Sequence, residues 1–117
     1  MQNFLMVGLG GALGAMSRYG IYVYMGSLNI KSNWATLAIN LVGSLIIGIL
    51  AGLKPNQLAV LLLGVGFCGG FTTFSTFSMD GFKLLKASEM GVFALYYSLS
   101  IIGGLILAWV GYNLTAK

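Results

Sequence analysis

Residues 64–79 read GVGFCGGFTTFSTFSM, a stretch rich in glycine and hydroxyls inside a chain that is otherwise strongly apolar. Three phenylalanines recur in it at every third position: Phe71, Phe74 and Phe77. Gly69 and Gly70 precede the hydroxyls, and because glycine is a poor helix former we predict a helix break near residues 69–77. Broken backbone at membrane depth must be buried in protein or line a wet cavity. The stretch therefore indicates an ion site.

The composition is that of an integral membrane protein, since 58% of the 117 residues are hydrophobic and only 7% are charged. With no histidine, one cysteine and two acidic residues, the chain has little material for a metalloenzyme or for acid–base catalysis, so we expect no enzyme. Cys68 has no second cysteine to pair with, and we expect it to be a small buried residue. The net charge of +4 comes mostly from lysines at segment ends, which indicates contact with the membrane surface and not with nucleic acid.

Four apolar segments are long enough to cross a bilayer, which takes about 20 residues in a helix. They run at about residues 4–25, 34–53, 57–82 and 90–112, and the third contains the predicted break. The connections are too short to hold a soluble catalytic or ligand-binding domain, so we predict a single all-α transmembrane domain over residues 1–117. The N-terminus has no basic region followed by a cleavage site, and we expect no removable signal peptide.

The lysines are distributed almost evenly between the two sides of the predicted membrane domain. Lys54 and Lys117 belong to one side, and the other side has Lys31, Lys83 and Lys86. The Lys/Arg bias of short loops orients a membrane protein, and here this bias is nearly absent. Either the insertion signal is simply weak, or the chain inserts in both orientations and assembles as an antiparallel pair.

The first span carries several small residues and one cation. Gly8, Gly11 and Ala15 share one helical face, which we predict to be a close-packing surface. Arg18 lies on the same face, and an arginine in or near hydrocarbon is costly enough to indicate a function. Three roles remain open for it: snorkelling to the interface, a structural role that pairs it with carbonyls or shapes a vestibule, and attraction of anions.

Polar side chains also align on one face of the second and fourth spans. Thr36, Asn40 and Ser44 follow one another at intervals of four residues in the second span. Asn40 must find partners for its amide, either in an interhelical hydrogen bond or as a donor turned toward a pore. Tyr96 and Ser100 lie one turn apart in the fourth span, where they form a polar rail or bond to carbonyls of their own helix.

The polar groups offered inside the membrane are hydroxyls, one amide and the edges of aromatic rings. A phenyl ring has a positive edge around its negative face, so phenylalanine edges can face a small anion without holding it tightly. Weak binding at several sites is what conduction requires. Asp80 is the only carboxylate near a span, and we place it at the far end of the broken segment. The pattern favours an anion pathway over a cation pathway and does not name the ion.

Three motifs together resemble the CrcB/Fluc fluoride channels of microbes. They are GGALGAMSRY in the first span, TLAINLVGS in the second and GFCGGFTTFSTFS in the third, in the family's order and at its chain length. The resemblance implies a passive, fluoride-selective channel in the cell membrane that lowers cytoplasmic fluoride. It also implies a dual-topology, antiparallel homodimer with two pores, which agrees with the balanced lysines. A heterodimer with a paralogous chain stays open.

The resemblance also assigns individual residues to the fluoride pathway. The matching positions are the pore phenylalanines Phe74 and Phe77, the pore asparagine Asn40, the hydroxyls of Ser75 and Thr76, the polar track of Tyr96 and Ser100, the vestibule arginine Arg18, and Thr36 along the route. A structural Na⁺ is implied at the dimer centre, held by the backbone carbonyls of Gly69 and Thr72, and such oxygen ligands suit a hard cation. One position departs from the pattern, since Gly104 stands where some members place a third hydroxyl.

Two other classes of four-span protein compete with this interpretation. A small proton-coupled multidrug exporter needs a carboxylate embedded in the membrane, but the first span has none and Asp80 is expected at the end of a span. A holin-like assembly protein would be rich in glycine for packing alone, and it would tolerate Phe74→Ile and Phe77→Ile.

Overall fold

The computed structural model describes all 117 residues, which form helices joined by short connections. α1 spans Gln2–Ser27 and α2 spans Ser32–Leu53. The third segment, Gln57–Lys86, consists of several helical pieces, and the last helix spans Met90–Thr115. All four segments are long and apolar enough to cross a membrane. The predicted all-α architecture with four spans is confirmed, and the chain is a multi-pass membrane protein.

The third segment is broken, as predicted, but not at its glycines. It consists of α3 (Gln57–Ala59), a π-helix (Val60–Cys68), α4 (Gly69–Phe71) and, after two residues, α5 (Phe74–Lys86), so that the last helix is α6. The two extended residues are Thr72 and Thr73, with ψ angles of 159° and 123°. Gly69 and Gly70 are helical, and the expectation that this pair makes the break is wrong.

The physical reason for the glycine at position 70 is close packing of α4 on α1. A Cβ on Gly70 would lie 2.5 Å from the carbonyl oxygen of Gly11, closer than any side chain could approach. Gly70 is thus needed for contact between two backbones, which is the usual role of small residues between membrane helices. The π-helix that precedes α4 was not predicted, because the i→i+5 bonding of such a segment has no residue pattern of its own.

α1 packs against the third segment through other glycines than those expected. A Cβ on Gly10 or on Gly14 would collide with backbone of the π-helix, whereas a Cβ on Gly8 would meet no atom within 4 Å. The predicted close-packing face of Gly8, Gly11 and Ala15 is therefore wrong for Gly8, and the contact face is centred on Gly10 and Gly14. Small residues occur all around this part of α1, so their spacing alone did not select one face.

α2 and α6 lie side by side and run parallel. Gly48 of α2 lets the backbone of Ala108 approach, and further along both helices Gly52 makes room for the hydroxyl of Thr115 and the carbonyl of Tyr112. Contacts that advance along both helices in the same direction are those of a parallel pair. The polar faces of the two helices therefore meet at one level of the fold, where Asn40 and Ser100 line the same cleft.

The single chain has a thin core and an apolar exterior. Only 21 of its 117 residues are buried, and the largest fully buried side chains are those of Tyr96, Ile39 and Thr36. Large apolar side chains such as those of Phe4 and Leu105 are exposed. In a membrane protein such a surface faces lipid or another chain, and the helices are held together mainly by close backbone packing and interhelical hydrogen bonds.

Candidate functional site

An open cleft of about 530 Å³ lies at the helix break, between α2, the third segment and α6. Its polar lining consists of one amide and several hydroxyls: Asn40, Ser44, Thr72, Thr73 and Ser100. Phe74, Phe77 and Gly69 also line it. The fold thus brings together four of the predicted pathway residues, Asn40, Phe74, Phe77 and Ser100, with both residues predicted to hold Na⁺.

Asn40 is paired with the broken backbone at Thr73. The backbone N–H of Thr73 donates to Asn40 Oδ1 at 2.9 Å, and Asn40 Nδ2 donates to the Thr73 carbonyl at 3.1 Å. One amide side chain therefore satisfies both polar groups of a residue that has left the helix, which a break inside a membrane requires. Of the two roles open for Asn40, the structure shows the interhelical hydrogen bond, and its second Nδ2 hydrogen is not used by these two bonds.

Thr73 also caps the helix that begins after the break. Its Oγ1 accepts a hydrogen bond from the backbone N–H of Thr76 at 3.2 Å and lies 3.3 Å from the hydroxyl oxygen of Ser75. This is the usual N-cap arrangement, in which a side-chain oxygen replaces a missing helical acceptor. The N-terminus of α5, with the positive end of its dipole, is directed at the cleft, where Phe74 and Thr73 lie. Ser75 and Thr76 do not line the cleft.

The two phenylalanines occupy different environments although both line the cleft. Their ring centroids are 5.9 Å apart and their planes are tilted by 46°. Phe77 is only 9% exposed and stacks on Tyr97 with a centroid distance of 4.1 Å. Phe74 is 77% exposed. One ring is therefore held rigidly by the chain, while the other projects from it.

Arg18 contacts the carbonyl end of the first half of the third segment. Its Nε donates to the carbonyl oxygen of Gly70 at 3.1 Å. The last carbonyls of a helix have no partners within the helix and carry partial negative charge, so a guanidinium is favourable at this position. Of the roles left open for Arg18, pairing with a carbonyl is the one that the structure shows. Arg18 does not line the cleft, and attraction of anions stays a prediction.

Asp80 is buried, which corrects its expected position at the end of a span. It is 5% exposed, and α5 continues beyond it to Lys86. Its carboxylate accepts hydrogen bonds from Ser32 Oγ at 3.1 Å, Thr36 Oγ1 at 2.8 Å and Tyr96 OH at 3.3 Å. Three hydroxyl donors thus solvate a buried charge in place of water. Helical spacing could have predicted the burial of Asp80, because Asp80 lies three residues after the buried Phe77 and shares its face of α5.

Tyr96 and Thr36 belong to the Asp80 cluster, not to the lining of the cleft. Tyr96 is fully buried between its bond to Asp80 and the ring of Phe77, whose centroid is 5.4 Å away. Ser100 lines the cleft, but its hydroxyl donates to the Tyr96 carbonyl of its own helix at 2.7 Å. Tyr96 and Ser100 therefore lie one turn apart, as expected. Of the two roles left open for them, a polar rail or bonds to carbonyls of their own helix, Ser100 shows the second.

The carbonyls predicted to hold Na⁺ are released from regular helical bonding. In an α-helix the N–H groups of Thr73 and Thr76 would donate to the carbonyls of Gly69 and Thr72. Here these N–H groups donate to Asn40 Oδ1 and Thr73 Oγ1 instead. Gly69 is exposed, and a Cβ on it would meet no atom of the chain within 4 Å. Two hard oxygen donors at the negative end of a half-helix suit a monovalent or divalent hard cation.

Comparison with known proteins identifies relatives over nearly the whole chain. A family model described as CrcB-like protein, Camphor Resistance (CrcB), matches residues 5–112. A protein of Thermus thermophilus named fluoride-specific ion channel FluC is 43% identical over 120 residues, which cover 97% of this chain and 95% of the relative. Proteins of the same name from Leptospira interrogans and Nitrobacter winogradskyi are 38% and 46% identical, covering 94% and 89% of this chain and 91% and 84% of their own lengths. With the broken third segment and the polar cleft beside it, these matches show that the chain belongs to the CrcB-like family.

Proposed function

We propose that the chain forms a passive channel that lets fluoride leave the cell. The observation that carries this function is the cleft at the helix break, where an amide, hydroxyls, a helix N-terminus and two phenylalanine rings meet. The relatives are named fluoride-specific ion channels and match nearly the full length of the chain. A channel needs no catalytic group, which agrees with the expectation that the protein is not an enzyme.

The chemistry of the cleft suits a small, strongly hydrated anion. Hydroxyl and amide donors replace part of the water shell, and the positive edges of the rings of Phe74 and Phe77 add weak attraction. The N-terminal end of α5 contributes a fixed positive potential. None of these groups carries a full charge, so each holds the ion loosely and allows it to move on.

The driving force is the membrane potential. Fluoride enters cells as neutral HF and dissociates in the near-neutral cytoplasm, where the anion cannot return through lipid. A potential of 100 mV, negative inside, contributes about 2.3 kcal/mol per charge, which corresponds to a roughly fiftyfold gradient. A selective channel in the plasma membrane therefore lowers cytoplasmic fluoride without ATP or a coupled ion.

The working unit of this channel is an antiparallel pair of chains. The cleft is open on one side, and the ring of Phe74 projects from the chain with 77% of its surface exposed. The lysine counts of the two sides, two and three, permit insertion in both orientations. A second copy, or a paralogous chain, would close the cleft into a pathway and cover Phe74.

A structural Na⁺ at the centre of this pair would be held by the carbonyls of Gly69 and Thr72 from each chain. The cation would neutralise the carbonyl ends of two half-helices that face each other across the interface. Its test is the thermal stability of the purified dimer in Na⁺ against the same buffer with N-methylglucamine. Equal stability in both buffers would exclude the structural Na⁺ without affecting the channel proposal.

The exporter alternative is disfavoured. Asp80 is buried, but three hydroxyls donate to it and it does not line the cleft, so it is not placed to exchange protons with a substrate there. Because Asp80 links α2, α5 and α6, loss of transport in Asp80→Asn would reflect altered packing as readily as altered coupling. Measurements of fluoride flux in variants of the cleft residues distinguish a channel from an exporter more directly.

The experiment that tests the function is fluoride efflux from liposomes reconstituted with the purified protein, read with a fluoride electrode. We expect fast efflux only after valinomycin provides a K⁺ shunt, with chloride retained under the same conditions. This result would establish electrogenic and selective fluoride movement by this chain alone. Absence of efflux from well-folded protein would exclude the homodimeric channel and direct the search to a paralogous partner.

A further inference from the structure

We propose that Ser44 supplies a pathway hydroxyl at the level of the cleft where α6 offers only a glycine. The inference rests on the proposed function, because Ser44 and the residues of the proposed pathway line the same cleft. It assigns to α2 a specificity-determining residue beyond Asn40. Three features of the structure support this role: the parallel packing of α2 and α6, the space beside Gly104 and the free hydroxyl of Ser44.

Parallel packing places Ser44 and Gly104 beside each other. Ser44 follows Asn40 by one turn of α2, and Gly104 follows Ser100 by one turn of α6, so that both helices advance together from one polar level to the next. A Cβ on Gly104 would lie 3.3 Å from Ser44 Oγ. The hydroxyl of Ser44 therefore occupies the edge of the space that a side chain at position 104 would need.

The hydroxyl of Ser44 is free, in contrast to its neighbours. Thr72 and Ser100, which also line the cleft, each donate to the carbonyl four residues before them, at 2.8 and 2.7 Å. This back-bonding is common for hydroxyls in membrane helices, and it uses the only hydrogen of the group. Ser44 makes no hydrogen bond within the chain, and Asn33 Nδ2 is the only enclosed side-chain polar atom without a partner, so Ser44 Oγ is open to the cleft.

A free O–H group facing the cleft can donate to an anion. Hydrogen bonds to an ionised acceptor are shorter and stronger than those between neutral groups. Ser44 lies four residues after Asn40 in α2, about 6 Å further along the helix axis. An ion that leaves the Asn40 amide can therefore reach the Ser44 hydroxyl in a single short step. The polar track of α6, interrupted at Gly104, is thereby continued from the neighbouring helix.

The first test is Ser44→Ala in the liposome efflux assay, with Ser98→Ala as the matched control. Ser98 is an exposed serine of α6 that does not line the cleft. We expect Ser44→Ala to slow fluoride efflux about tenfold, the effect of one lost hydrogen bond to a charged group, and Ser98→Ala to keep the wild-type rate. Wild-type efflux from Ser44→Ala would overturn the inference.

The second test asks whether a hydroxyl placed on α6 restores the rate. In Ser44→Ala the oxygen that crowds position 104 is gone, so the added side chain of Gly104→Ser fits in the double variant. We expect the double variant to recover most of the efflux lost in Ser44→Ala. A slow double variant that elutes as well-folded protein would show that Ser44 acts through packing, and would overturn the assignment.

Failure of this inference is distinguishable from failure of the proposed function. If the well-folded wild-type protein shows no fluoride efflux, the homodimeric channel is excluded and the inference falls with it. If the wild type conducts and Ser44→Ala conducts equally well, only the role of Ser44 is excluded.

Discussion

Asn40 and Thr73 form the pair of residues that makes a break in the third segment possible. The side chain of Asn40 bonds to both the N–H and the carbonyl of Thr73, at 2.9 and 3.1 Å. Thr73 then uses its own hydroxyl oxygen to cap α5. The N–H and carbonyl of Thr73 and the N–H of Thr76 thus find side-chain partners, which lipid could not supply.

The first prediction concerns Asn40→Ala. Removal of the amide leaves the peptide groups of Thr73 without protein partners, so we expect the free energy of unfolding in micelles to fall by about 2 kcal/mol. Asn113→Ala is the matched control, because Asn113 is exposed and donates only to the carbonyl of Trp109 in its own helix. We expect the control to change stability by less than about 0.5 kcal/mol. Equal losses in both variants would contradict the role assigned to Asn40.

The two ring positions make separable contributions to the cleft. Phe77 is packed within the chain against Tyr96 and Tyr97, whereas Phe74 has few contacts with its own chain. Replacement of the ring by an aliphatic side chain should therefore affect folding at Phe77, whereas at Phe74 it should mainly affect ion passage.

The second prediction is that Phe74→Ile slows fluoride efflux about tenfold or more with little change in the stability of the fold, since an aliphatic side chain has no positive edge. Phe4→Ile is the control, because Phe4 is 82% exposed at the start of α1 and lies outside the cleft. Unchanged efflux in Phe74→Ile and Phe77→Ile alike would contradict the role assigned to the two ring edges.

At the scale of helices, the contact between α1 and the π-helix decides how the third segment is held. Gly10 and Gly14 allow backbone-to-backbone contact, and Gly70 extends this contact to α4. Arg18 then bonds to the Gly70 carbonyl at the end of the same interface. α1 therefore supports the first half of the broken segment along most of its length, and this support positions the break beside α2.

The third prediction compares two glycines of α1. A Cβ at Gly14 would collide with the carbonyl of Phe67, so we expect Gly14→Ala to destabilise the fold by about 1–3 kcal/mol. A Cβ at Gly8 meets no atom of the chain, so Gly8→Ala should be neutral or stabilise the helix by up to about 1 kcal/mol. Unfolding of both variants in the same micelles measures the difference. Two effects of the same sign and size would contradict the packing face described above.

At the scale of the whole molecule, a single copy of the chain does not enclose the cleft. Its cleft is open, its surface is apolar and the ring of Phe74 projects outward. In an antiparallel pair the two broken segments would run in opposite directions, so that their carbonyl ends could face each other, whereas in a parallel pair both carbonyl ends would point toward the same side of the membrane. The proposed assembly therefore depends on insertion of the chain in both directions.

The fourth prediction tests this dual orientation by labelling with a membrane-impermeant maleimide. The only cysteine, Cys68, is buried and is replaced in Cys68→Ser, and Ala116→Cys adds one thiol next to the C-terminus while keeping Lys117. We expect about half of the protein to be labelled from outside intact cells, because the balanced lysines give no preferred side. Lysis before labelling supplies the full signal as the control. Labelling of all or none of the chains in intact cells would show a single orientation.

The membrane class, the four spans and the family could be predicted from the sequence, because each depends on local residue types. Hydropathy over about 20 residues marks a span regardless of its neighbours, and the motif around Phe74 and Phe77 is contiguous. The residues of the cleft at Asn40 and Ser100 were also identified, since helical spacing places such polar groups on one face.

The tertiary structure alone decided how those pieces are used. The break lies at Thr72 and Thr73 because Asn40 of another helix pairs with the released backbone, and no local propensity encodes that partner. The burial of Asp80 depends on hydroxyls from two other helices. Helix formation and membrane insertion are properties of a segment, but the satisfaction of buried polar groups is a property of the helices packed around them.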